Sequence, residues 1–248
     1  MDKEYESLYH SEEDTNWWFV ARRDMLLKFF AKYKIPQNAR ILDIGCAAGT
    51  YLLLLKDLGY TELTALDYSP EAIERVKEKG ITNAFVMDGH KPGFEPNSFD
   101  VIISSDSLEH LENDQMALDN WHAILKPGGI AFVLVPAYKF LWTSHDDVNY
   151  HFRRYTKSDL VQKSLKAGYK VIYSGYNYVL FFIPTAIIRV VLKAVMPKLK
   201  DKKMAGGQIL QLPRWVNSLF ITYQKFENSI AKYIPMPFGV SAFTVLRK

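Results

Sequence analysis

The sequence predicts an α/β protein with a doubly wound, mostly parallel seven-stranded sheet and a helical insertion before the last strand. Three observations predict it. Strand-length apolar runs alternate with helix-length amphipathic runs at roughly thirty residues per unit, the rhythm of a parallel sheet with helices on both faces. The first strand, "ILDIG", breaks at once into a small-residue turn, "GCAAG", before a helix. Between Val179 and Pro235 the rhythm is lost, and long helical patterns separate what read as the last two strands.

The elements follow in order. Asn16 to Tyr33 has helical apolar spacing and ends before Pro36. "RILDIG" is a short strand, and "TYLLLLKDLG" is a helix closed by Gly59. "TELTALD" is the second strand. The next helix, "SPEAIERVKEKG", takes Ser69 as N-cap, Pro70 at its first position and Gly80 after its last turn. "NAFVMD" and "FDVIISSD" are the third and fourth strands. "DQMALDNWHAIL" is a helix that runs into "KPGG", read as a turn before the fifth strand, "IAFVLVPA". "KSDLVQKSLKAG" is a further helix, followed by "YKVIYSGYNY", and "SAFTVLRK" is the final strand. The expected organisation is one domain over 1–178 and 236–248, with 179–235 inserted into it.

Composition narrows the function classes. A net charge of +4 is too small to argue for nucleic acid, which is not expected as a partner. The single cysteine, Cys46, excludes an internal disulfide framework and fits a reducing, cytoplasmic compartment. The N-terminus lacks the basic start and apolar run of a secretory signal. No uninterrupted apolar run of about eighteen residues predicts a spanning helix.

In such sheets ligands sit beyond the carboxyl ends of the strands, so the residues to read are Asp43 to Gly49, Asp67 to Ser69, Asp88 to His90 and Ser104 to His110. A small-residue turn at a helix N-terminus offers bare N–H groups and the positive end of the helix dipole to an anionic group. The dinucleotide pattern G-x-G-x-x-G fails here at Ala47 and Thr50. Asp43, just before the turn, is badly placed beside a pyrophosphate and well placed for an ammonium group. Asp67 closes the second strand, where a carboxylate can accept both hydroxyls of a ribose. Tyr68 can pack on an adenine face, and Asp88 can accept from an adenine amino group.

Taken together, "ILDIGCAAGTY", "ALDYSPEAI", "VMDGH", "FDVIISSDSLEHL" and "LKPGGIAFVLVP" resemble the class I S-adenosylmethionine (SAM)-dependent methyltransferases, from about Arg40 to Ala137. The resemblance is nearest to members that modify small molecules, quinones or lipids, in which an E-H pair follows the fourth strand; here those positions are Glu109 and His110. It implies a Rossmann-like fold, SAM as cofactor, and cofactor contacts from Asp43, Gly45, Cys46, Ala47, Gly49, Asp67, Tyr68, Ser69, Asp88, Gly89 and Ser104. Arg22, on the first helix, can pair with the SAM carboxylate. Ala47 departs from the family's middle glycine, and its fit depends on whether that position needs a positive φ. Cys46 has nothing nearby to make it a nucleophile.

Methyl transfer needs a general base only when the acceptor must lose a proton, and His110, His145 and His151 are the candidates. Ser144 to Leu160 gathers histidines, aspartates and arginines, which suits an anion-reading substrate loop. Its spacing does not define a metal site, and no metal is expected. The expected acceptor is a small molecule or is lipid-linked. The alternatives are a non-catalytic SAM-binding or interaction protein and, less well supported, an NAD-dependent oxidoreductase. Residues 179–235 hold nine basic and two acidic residues, net +7, with a run of Lys198, Lys200, Lys202 and Lys203 beside an apolar amphipathic helix. That pattern fits either an anionic membrane surface as a second partner through 179–203, with peripheral membrane association, or a packed helical cap over the acceptor site whose lysines are solvated, and the two are compatible.

Overall fold

The structure, a computed structural model, describes residues 15–195 and 212–248. Its elements are α1 (Trp17–Lys32), β1 (Ile41–Ile44), α2 (Thr50–Asp57), β2 (Leu63–Asp67), α3 (Pro70–Glu78), β3 (Ala84–Val86), β4 (Phe99–Ser105), α4 (Asp114–Ile124), β5 (Leu125–Pro136), α5 (Ser144–Val148), α6 (Lys157–Lys166), β6 (Lys170–Asn177), α7 (Val179–Val195), α8 (Arg214–Ala231) and β7 (Ser241–Arg247). The strands form one sheet in the order β3-β2-β1-β4-β5-β7-β6. β1 to β5 are parallel, and β7 runs antiparallel between β5 and β6. The strand order reverses beside β1, between β1 and β4, which sets the binding crevice over the β1 and β4 termini.

The local reasons are those of the sequence. β1, "ILDI", is buried at all four positions, as a central strand covered on both faces must be. The Ser69 side chain accepts from Ala72 N–H and caps α3, whose Ala72, Ile73 and Val76 face the core. The core is two-sided: one layer packs Phe29 and Phe30 of α1 against Phe132, and the other packs Trp121 of α4 against Leu42 and Ile102. Trp121 is fully buried and donates its Nε1–H to Gly89 O at 2.8 Å, which anchors the loop after β3.

Two segments differ from expectation. "KPGG" lies within β5: Leu125 pairs with Phe99, Ile130 next pairs with Val101, and the extra residues bulge between them. Gly128 takes φ +80° there, a conformation that reads as a turn in sequence. The second is α5, a short helix in what reads as loop, started by a reciprocal capping box between Thr143 and Asp146.

α7 and α8 occupy the span between β6 and β7. Glu227 of α8 accepts from the N–H groups of Tyr178 and Val179 and so caps α7. α8 also holds α1: Asn217 accepts from Trp17 N–H at 2.8 Å, and Asn228 donates to Ala21 O at 2.8 Å. Tyr178 stacks on Trp18 with ring centroids 3.9 Å apart. Among the described residues no helix is long and apolar enough to cross a membrane. The lysine run from Lys198 to Lys203 lies outside the described residues.

Candidate active site

The turn after β1 is built from left-handed residues: Gly45 at φ +75°, Ala47 at +47° and Gly49 at +76°. A Cβ on Gly45 would stand 2.4 Å from Ser107 Oγ, and one on Gly49 2.9 Å from Val76 Cγ2, so both positions lack room as well as needing the conformation. Ala47 has a side chain and takes the left-handed form anyway, at a cost of about 1–2 kcal/mol. Its N–H donates to Asp67 Oδ2 at 3.0 Å, while Asp67 Oδ1 accepts from Ser69 N–H at 2.9 Å. The acid that ends β2 thus ties the turn after β1 to the start of α3.

Above this turn lies a cavity of about 650 Å³. Gly45, Cys46, Ala47, Asp67, Tyr68 and Ser69 line one end, with Asp88 and Gly89 beside them. Tyr68 stands at the rim, 81% exposed. Arg22 reaches in from α1. It is buried, stacks over Trp18 with its Cζ 4.7 Å from the ring and pairs with Asp106, and its Nε has no hydrogen-bond partner.

Three residues expected at the ligand do not line the cavity. Asp43 is buried behind the turn, because strand alternation puts it with Ile41 on the other side of β1 from Leu42 and Ile44. Gly49 sits one step back as the N-cap of α2. Ser104 is fully buried, and its neighbour Ser105 lines the cavity instead; a one-residue offset carries a side chain to the opposite face of a sheet.

The opposite end is made by Glu109, His110, His145, His151, Arg154 and Arg189, brought together from the segment after β4, the segment after β5, and α7. All three histidine candidates are there. Burial, followed by the charge of His151, drops the His110 pKa to about 3, and burial drops that of His145 to about 4. Both are neutral near pH 7 and are weak bases. His151 Nδ1 faces Asp146 Oδ1 at 2.9 Å; a carboxylate only accepts, so Nδ1 carries the proton. Asp146 is fully buried, and also accepts from Arg154 Nε at 2.7 Å and Thr143 N–H at 2.8 Å. Those contacts outweigh its burial and hold its carboxyl well below the usual range.

Arg153 pairs with Asp114 at 2.9 Å and does not line the cavity. Arg189 takes a place on the cavity wall and donates to Leu141 O. Burial, then the neighbouring Arg154, lowers its pKa to about 10. Sequence reasoning gave no role to Asp106 or Asp146. The T-x-x-D capping pattern at Thr143 was the one signal that could have singled out Asp146.

Residues 19–174 match the family model described as a methyltransferase domain, more than half of the chain. Among curated relatives, the rice protein 2-methyl-6-phytyl-1,4-hydroquinone methyltransferase 2 is 26% identical over 157 residues, 62% of this chain and 44% of that protein. A ubiquinone biosynthesis O-methyltransferase of Xylella fastidiosa is 29% identical over 133 residues, 48% of this chain and 54% of its own. The chain therefore spans about half the length of these relatives. Among solved structures, a chain from the Haloferax volcanii complex between the Trm112 methyltransferase activator and a methyltransferase aligns with TM-score 0.64 at 18% identity, over 99% of this chain and 94% of that one. The cyclase SpnF aligns with TM-score 0.58 at 17% identity, over 91% and 81%. The structural likenesses show the fold; the family match shows the kinship. The chain belongs to the class I SAM-dependent methyltransferases. The family's cofactor is SAM, and two features here fit it: the unpartnered Arg22 Nε suits a carboxylate, and the Gly45 turn leaves bare backbone where any Cβ would collide.

Proposed function

We propose that the chain transfers a methyl group from SAM to a small or lipid-like acceptor of the hydroquinone type. The observation that carries this is the continuity of one cavity. It joins the Asp67 turn, on the cofactor side, to a wall of histidine and arginine from α7 and the segment after β5. Its size lies within the range of small-molecule sites, about 300–1,000 Å³. The two relatives named for hydroquinone and ubiquinone chemistry support the acceptor class.

When bound, SAM supplies a methyl already activated by its sulfonium, so the protein's task is alignment. In this reading Asp67 accepts from the ribose hydroxyls, Asp88 from the adenine amino group, and Tyr68 covers the ring. Arg22 pairs with the carboxylate. Gly45, Cys46, Ala47, Ser69 and Gly89 shape the bed, and Asp43, Gly49 and Ser104 support it from behind. The insertion 179–235 acts as the acceptor cap, through Arg189. Incubation with SAM and a panel of hydroquinones and phenols, read as S-adenosylhomocysteine by mass spectrometry, tests the reading. Product formation with an acceptor from the panel is the expected result. No product with the panel or with a total lipid extract, from protein that binds SAM, would favour the non-catalytic alternative.

One observation supports action at a membrane surface. α7 leaves Ile183, Ile187, Ile188, Val190 and Val191 at least half exposed, and α8 adds Trp215 at 73%. A strongly apolar helix face in a segment of net charge +7 suits an anionic bilayer. Sedimentation with phosphatidylserine vesicles at low salt should carry the protein down, and high salt should release part of it. Protein left in the supernatant at low salt would remove the membrane reading and leave a freely diffusing acceptor.

A further inference from the structure

Glu109 has no part in the reading above, and its setting calls for one. Its side chain is fully buried, and neither carboxylate oxygen has a hydrogen-bond partner in another residue. A buried carboxylate in that state is costly, and proteins resolve it with a proton or a cation. His110 is its neighbour in the chain. His151 arrives from the segment after α5, its ring 4.6 Å from that of His110 and nearly perpendicular to it. A ligand atom from each of the three lies within 4.8 Å of the others. Atoms bound about 2.1 Å from a shared ion stand roughly 3–4 Å apart, so small side-chain rotations close the set.

The surroundings carry the argument further. His151 is fixed through Nδ1 by the buried carboxylate of Asp146, at 2.9 Å, which leaves Nε2 as the ring nitrogen able to bind. A carboxylate behind a ligating histidine is the common outer partner of a metal site, setting both tautomer and ring angle. Burial is the main influence on Glu109, followed by the charge of His151 and then those of Arg22 and Arg154; the two arginines are already paired, with Asp106 and Asp146 respectively. Nothing in the spacing of the sequence marks this set, because His151 lies forty-one residues beyond His110 and only the fold brings them together.

We propose that Glu109, His110 and His151 form a three-ligand site for a divalent first-row cation such as Zn²⁺, on the acceptor side of the cavity. Two imidazoles and one carboxylate suit such a borderline ion better than Mg²⁺ or Ca²⁺, which favour all-oxygen sites. Three protein ligands leave a position open, and all three residues line the cavity. The group that fits there is an oxygen donor on the acceptor, a hydroxyl or phenol. Its coordination would release the hydroxyl proton to solvent and leave the oxygen as an anion on the cation.

The test needs neither SAM nor acceptor, so it stands or falls apart from methyl transfer. Full-length protein stripped with a chelator is titrated with Zn²⁺ by calorimetry and with Co²⁺ by visible absorption. One equivalent per chain is expected, with d–d bands for Co²⁺ and a rise in Tm on adding Zn²⁺. Glu109→Gln and His151→Ala should each weaken binding at least tenfold, and Asp146→Asn about ten- to hundredfold by releasing the ring of His151. His122→Ala, whose ring packs on Tyr169 outside the cavity, should bind as the wild type does. Absence of stoichiometric binding, or binding that survives both Glu109→Gln and His151→Ala, overturns the proposal. So does a folded Glu109→Gln protein with a higher Tm than the wild type and no response of either to Zn²⁺, since that result assigns Glu109 a proton in place of a metal.

Discussion

At one end of the cavity, the turn after β1 is held by backbone amides. Ala47 and Ser69 each give an N–H to Asp67, and Gly45 and Cys46 both donate to Leu66 O. At the other end, the wall is held by buried charge. His151, Arg154 and Thr143 all converge on one fully buried carboxylate, Asp146. The amide-held end is spread over many short contacts, each of modest worth, so its positions can be altered one at a time. The charge-held end has a single centre, and losing one partner leaves the others buried without compensation.

Asp146→Ala probes that difference most severely. It leaves Arg154 buried without its partner and His151 without its orienting group. Removing one partner of such a pair costs about 3–5 kcal/mol, to be read as a shift in the urea midpoint. A loss below about 1 kcal/mol would break the comparison, because the wall would then be held by its apolar packing.

Asp67→Ala should act on binding more than on folding. Its charged hydrogen bonds are worth roughly 1.5–3 kcal/mol, about ten- to a hundredfold in the Kd for SAM by calorimetry, with the melt showing a folded protein. Unchanged affinity in that folded variant would take Asp67 out of the cofactor site. The smallest effect is expected at Ala47. Glycine there relieves the left-handed strain but adds freedom to the unfolded chain, for a net gain of up to about 1 kcal/mol. A clear loss of stability in Ala47→Gly would show that the alanine methyl packs usefully. Ala47→Leu, by contrast, should block SAM, because this residue lines the cavity.

How much of this was legible follows the same division. The Asp67 end is written in short stretches: a strand, a turn and a cap occupy neighbouring residues, and local rules of φ, spacing and capping reach them. The bulge at Gly128 escaped because a positive φ inside a strand has the composition of a turn. Asp43 and Ser104 are buried off the cavity, since alternation gives a strand two faces and the core decides between them. The Asp146 end is assembled across the chain. Arg189 on α7 comes near Arg154, and His110 near His151, only through the tertiary fold. Arg153 and Arg154 are adjacent and chemically alike, yet one goes to Asp114 and the other to Asp146, a choice no local pattern encodes.

The clasp between α1 and α8 bears on how the chain is made. Trp17 waits for Asn217, Ala21 for Asn228, and Arg22 for Ser241, partners 200, 207 and 219 residues later. At translation speeds of about 5–20 residues per second, the first helix leaves the ribosome roughly 10–40 s before its partners. During that interval Trp17 and Trp18 lack the Tyr178 and Phe220 rings they later pack on, and Arg22 has Asp106 but not yet Ser241. The central strands can pair early, but the roof over the cavity is laid last. A nascent chain stalled before α8 would carry the five parallel strands, with β6 still without its β7 partner and the most aromatic helix still unhoused.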